Sequence, residues 1–120
     1  MSDVVLCSTD DRGVATVTLN RPERNNAYNG EVIEALIAGV EALAVDPAVR
    51  VVVIRGNGKH FQAGADLSWL KDMGQLSPLE NIEVSRRTAS AIQGLTELPK
   101  PTIALIHGGC FGGGTGIAAA

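Results

Sequence analysis

Thr102–Ile117 reads TIALIHGGCFGGGTGI: an apolar run, a cluster of glycines, then the first turn of a helix. Bare backbone in this quantity costs conformational entropy, so it marks a tight turn or a close approach by another group. The start of a helix adds unsatisfied N–H donors and the positive end of the helix dipole. Val51–Leu67, VVVIRGNGKHFQAGADL, repeats the design. Two such turns facing one another would make a pocket in which two backbone N–H groups hold a developing oxyanion. A single donor of that kind is worth about 2.7–4 kcal/mol in acyl-transfer chemistry. The simpler reading, that glycine only lets a helix pack hard against a sheet, applies to either turn alone. Two turns of one design in one chain favour a site. Nucleotide-binding loops do not fit. A G-x-G-x-x-G reading from Gly112 puts Ile117 at its last position, and the Gly-Lys-Ser/Thr of a phosphate loop is missing.

Working outward, Gly13–Asn20 (GVATVTLN) alternates in period two, with Ala15, Val17 and Leu19 on one side and Val14, Thr16 and Thr18 on the other. DVVLCS before it suits an earlier strand, with TDDRG as the hairpin turn, and RPERNNAY after it is a polar loop. Asn29 is a candidate N-cap for a helix whose apolar stripe is Val32, Leu36, Ile37, Val40 and Leu43, ended by Asp46-Pro47. Val49–Gly56 is almost continuously apolar, as a parallel strand covered on both faces requires. A short helix is expected from near Asp66, and Ser77 with Glu80 forms a capping box with Pro78 at the first helical position. KPTIALIHG reads as another buried strand. Strands alternating with helices indicate α/β architecture. The chain ends inside GIAAA with no helix-stop signal, so an interrupted element is expected there.

The 120 residues allow one domain with a core of useful size, and 45% hydrophobic against 19% charged residues excludes disorder. Ten basic and thirteen acidic residues give a net charge of −3 with no basic stripe, which argues against a nucleic-acid partner. The N-terminus has acids where a signal peptide needs a basic region and an apolar core, and no stretch is apolar enough for a membrane span. Cys7 and Cys110 are far apart with no metal-binding spacing, so no metal site is expected. They read as reduced thiols in a cytoplasmic protein.

LNRPERNNAYNGEVIEAL, FQAGADL and KPTIALIHGGCFGGGTGI together resemble three successive signatures of the crotonase (enoyl-CoA hydratase/isomerase) superfamily, in order and at its spacing. The resemblance implies the crotonase-like ββα spiral, here cut after the second oxyanion-hole loop, with residues 1–120 as the N-terminal part of one domain. It implies acyl-CoA thioester substrates, with coenzyme A as part of the substrate and no separate cofactor. Trimers or paired trimers are likewise expected on this ground. By motif position, Ala65 and Gly113 would supply the two backbone N–H groups that hold the thioester enolate. Arg24 and Ala27 would contact coenzyme A, with Ala63, Asp66 and Leu67 along its adenine and pantetheine side. Gly64, Gly112 and Gly114 complete the two loops. Asp66 has a purely structural role open to it as well, as N-cap of the short helix.

The chain departs from the family pattern at Gly116. Hydratases of the family place a glutamate three residues beyond the donor glycine, and glycine has no carboxylate for acid/base work. A second glutamate would lie past Ala120. Some members, of the methylglutaconyl-CoA and feruloyl-CoA hydratase types, also lack the first glutamate, and GADLSWL resembles the former group. Some thioester dehalogenases carry glycine there. The expected activity is hydration of a 2,3-enoyl-CoA. Double-bond isomerisation and dehalogenation are the alternatives within the superfamily, and an inactive acyl-CoA-binding or assembly piece is the alternative for these 120 residues alone. His60 and His107 flank glycine loops but have no triad partners, so packing or surface roles are expected. Lys59, Arg21 and Arg24 are read as solvated cations with phosphate contact as the alternative, Cys110 as a space-filler, and Trp69 and Met73 as core or acyl-pocket wall.

Overall fold

The structure, a computed structural model, describes residues 3–120. A hairpin opens it: β1 (Val5–Thr9) pairs antiparallel with β2 (Val14–Leu19), and Asp10 Oδ1 accepts the Arg12 and Val14 amides at the turn. Then follow α1 (Gly30–Val45), β3 (Val51–Gly56), α2 (Leu67–Met73), α3 (Pro78–Thr96), β4 (Thr102–Ala104) and α4 (Gly113–Ala119). The sheet order is β1-β2-β3-β4, with β2, β3 and β4 mutually parallel. Each parallel step therefore needs a crossover, supplied first by α1 and then by the α2–α3 segment.

The strand alternation selects the core face. Ala15, Val17 and Leu19 of β2 and Val52 and Ile54 of β3 are buried. The stripe on α1 lands on this face, together with Ile33. α1 also packs against α3, which contributes Ala91 and Leu95, and Ile117 of α4 closes the cluster. Asn29 caps α1 by accepting the Val32 amide at 3.1 Å, and the Ser77/Glu80 capping box is formed in both directions.

Two strand expectations need correction. β3 is not covered on both faces: Val51 and Val53 are half-buried and Arg55 is exposed. β4 is not a buried strand. It is three residues long, Ile103 is exposed, and so are Leu105 and Ile106 just after it. The reason is layering. α1 and α3 bury one face of the sheet, and no described element packs over the other, so apolar content along these strands exceeds what is covered. No helix among the described residues is long and apolar enough to cross a membrane.

Candidate active site

The two glycine turns meet. A Cβ built on Gly64 would lie 3.1 Å from the Phe111 carbonyl oxygen and 3.6 Å from Gly112 Cα, so a side chain there would push this backbone-to-backbone approach apart by a few tenths of an ångström. Gly64 has φ +89°, a conformation that a side chain would strain. Gly112, at φ 52° and ψ −128°, caps the helix that begins at Gly113. Short parallel bridges fix the junction. The Gln62 N–H donates to Gly109 O at 3.2 Å, and the Phe111 N–H donates to Gln62 O at 3.0 Å.

A second bridge joins the polar loop to the first turn. The Tyr28 N–H donates to Gly64 O (2.9 Å) and the Asp66 N–H donates to Tyr28 O (2.8 Å). The peptide between them is therefore held on both sides while its own donor stays free. Among the described residues neither the Ala65 nor the Gly113 N–H has a hydrogen-bond partner. These are the two donor positions that the motifs imply, each one residue beyond the glycine at the contact.

Two buried amides hold this geometry, and sequence reasoning passed over both. Gln62, fully buried, accepts the Gly64 N–H on Oε1 at 2.6 Å and donates its amide to Asn26 O. Asn26 adopts φ 61°, takes the Arg21 N–H on Oδ1 at 2.8 Å and donates to Asn57 O and His60 O at 2.8 and 2.9 Å. One cue was present for Gln62, a lone amide between Phe61 and Ala63. For Asn26 the cue was an asparagine pair in a turn, since asparagine tolerates positive φ.

Arg24, Ala27, Ala63, Ala65, Asp66 and Leu67 line one open groove of about 340 Å³ with Glu23, Asn25 and Ser68. Gly64 is buried beneath it, and Gly112–Gly114 lie outside its wall. Gly114 packs on Gln62, where a Cβ would stand 2.8 Å from that residue's Cβ. Beside the groove Asp66 is the N-cap of α2: Oδ1 accepts the Ser68 and Trp69 amides at 2.9 and 3.2 Å. Its other oxygen takes Arg21 Nη2 at 3.1 Å, with both side chains largely buried. The Trp69 N–H, then Arg21 and the Ser68 N–H, hold this carboxyl below the usual aspartate range. Arg21 is thus no solvated cation, which corrects the sequence reading. It donates to Ala27 O at 2.6 Å as well as to Asp66, leaving Arg24 as the exposed cation on the groove.

Both histidines stitch the turns together. His60 Nδ1 accepts the Gly109 N–H at 2.7 Å, and His107 Nε2 lies 2.7 Å from Gly58 O. Cys110 sits in the bridge opposite Gln62, partly buried against the core. Trp69 and Met73 wall a second, more apolar groove of about 400 Å³ between α2 and α3. Gly116 faces open space, with nothing within 4 Å of a Cβ built there.

Comparison with known proteins shows the family and the fold. Residues 9–120 match the enoyl-CoA hydratase/isomerase family, and the chain belongs to that family, the crotonase superfamily. It is 41% identical over 104 residues to a hydroxycinnamoyl-CoA hydratase-lyase of Pseudomonas fluorescens, covering 85% of this chain and 38% of that one. It is 32% identical over 114 residues to a trans-2-decenoyl-[acyl-carrier-protein] isomerase of Streptococcus mutans, covering 92% and 42%. The crystal structure of an enoyl-CoA hydratase from Shewanella pealeana superposes with a TM-score of 0.92 at 31% identity, covering 95% of this chain and 43% of that one. The fold is therefore the crotonase fold, and the chain spans less than half the length of these relatives.

Proposed function

We propose that the protein acts on acyl-CoA thioesters, adding water across a 2,3-enoyl double bond through a thioester enolate. The observation that carries this reading is the pair of unpartnered N–H groups, Ala65 and Gly113, either side of the Gly64–Gly112 contact. A carbonyl oxygen accepting both gains most as it becomes an enolate oxygen, because the donors are already oriented and need no reorganisation. The groove lined by Arg24, Ala27, Ala63, Asp66 and Leu67 takes the coenzyme A portion, with Arg24 as its free cation and Gly64, Gly112 and Gly114 shaping the loops. Coenzyme A enters as part of the substrate, and no separate cofactor is invoked. Residues 1–120 form the N-terminal part of one domain of a cytoplasmic trimer or paired trimer.

The test is hydration of crotonyl-CoA or 3-methylglutaconyl-CoA by the intact protein. Turnover supports the reading; failure with both and with a medium-chain enoyl-CoA removes it. Double-bond isomerisation is the second reading, favoured by Gly116, which offers no carboxylate for activating water one turn into α4. The same donors would serve it. Product analysis in isotopically labelled water separates them, since only hydration fixes solvent oxygen in the product.

A further inference from the structure

Tyr28 is tied to both halves of the donor pair. Its backbone brackets Ala65, as described above, and its ring lies against Gly113. A Cβ built on Gly113 would collide with the Tyr28 hydroxyl and lie 2.7 Å from Cε1 and 2.9 Å from Cζ. The ring stands edge-on to Trp69 with centroids 5.9 Å apart and planes at 69°, which fixes its direction. It forms part of the wall of the apolar groove with Trp69, Leu70, Met73 and Val84. Tyr28 is half-buried as a residue, and its phenol oxygen has no hydrogen-bond partner among the described residues. A phenol directed at the start of α4 from a mostly apolar wall, with no protein acceptor of its own, is free to donate to a bound oxygen.

We propose that the Tyr28 hydroxyl is a third hydrogen-bond donor to the oxygen held by the Gly113 N–H, which makes it a catalytic residue of the enolate site. The inference deepens the acyl-CoA reading and rests on it. Glycine at 113 then has a specific reason: any side chain there would push the phenol off the oxygen. The role differs from that of the backbone donors in that the phenol can be removed without touching the main chain.

The experiment uses the intact protein and acetoacetyl-CoA, a non-reacting thioester whose enolate has its own ultraviolet band. The wild type is expected to bind it with the enolate band enhanced and to turn over an enoyl-CoA. Tyr28→Phe, which keeps the ring and the backbone clamp, is expected to lose that enhancement and about 10²-fold in kcat, with KM little changed. A 3-fluorotyrosine at position 28, a stronger donor of the same shape, should enhance the band further and keeps the test open if the Phe variant does not fold. An unchanged band and kcat in Tyr28→Phe overturns the Tyr28 role while leaving the acyl-CoA reading in place. A wild type that neither binds acetoacetyl-CoA nor turns over any enoyl-CoA overturns both.

Discussion

Asp66 holds two structures at once with its two oxygens, the cap of α2 and the buried guanidinium of Arg21. Substitutions can separate these. Both asparagine and alanine deprive Arg21 of its charge partner, but asparagine caps about as well as aspartate whereas alanine also removes a cap worth about 1 kcal/mol. Chemical denaturation should therefore rank stability as wild type above Asp66→Asn above Asp66→Ala; equal losses in the two variants would mean that the cap contributes nothing. The carboxyl also predicts a pH dependence. Its pKa is lowered in the folded state, first by the Trp69 N–H and then by Arg21 and the Ser68 N–H. The unfolded chain therefore binds more protons just below its own value of about 3.9, and stability rises with pH there. The contribution is present above that value and is lost as pH falls through the lowered folded pKa. Unfolding measured on the acid side of pH ~4 should show a shallower pH slope in Asp66→Asn than in the wild type.

At the scale of elements, the capping box before α3 gives a clean stability test. Ser77→Ala removes the acceptor of the Glu80 amide and should cost about 1 kcal/mol, with enoyl-CoA turnover unchanged because neither Ser77 nor Glu80 lines either groove. Loss of turnover at retained folding would place that end of the helix in the site. The helices were the most legible part of the chain because caps and stripes are local signals: Asn29, Asp66 and Ser77 each cap where their neighbours in sequence say they should. The two glycine turns were legible for the same reason. Strand burial was not, since an apolar run in β3 or β4 says that a face wants cover and not that this stretch of chain provides it. Nor were Asn26, Gln62 and Tyr28 legible as site residues. Their partners lie up to 49 residues away in sequence through hydrogen bonds, and 85 away where the Tyr28 ring meets Gly113, so their roles appear only when the two turns and the polar loop are brought together.

For the whole molecule, the uncovered side of the sheet has a physical consequence. Ile103, Leu105, Ile106 and Phe111 are each about half exposed and follow one another along β4 and its turn, beside a strand edge. Apolar surface of this kind next to an unpaired edge promotes association. Residues 1–120 expressed alone should self-associate in sedimentation runs and show no turnover, and Ile106→Lys should shift the distribution towards monomer. A monodisperse monomer of the unsubstituted segment would show that this face is tolerated by water.

Gly116 has a different kind of consequence, one for how such a fold changes its chemistry. A glycine inside a helix is there at a cost of roughly 0.5–1 kcal/mol relative to alanine, and here no neighbour stands within 4 Å to demand it. The Cβ of a glutamate at this position would meet no neighbour, glutamate would favour the helix over glycine, and it is reachable from a glycine codon by one base change. On the proposed reading, the donor turns and a carboxylate at position 116 are thus separable features of the fold. The backbone that carries the two free donors is locked by Gln62, Asn26 and the contact between Gly64 and Gly112, while position 116 one turn along is under no such constraint.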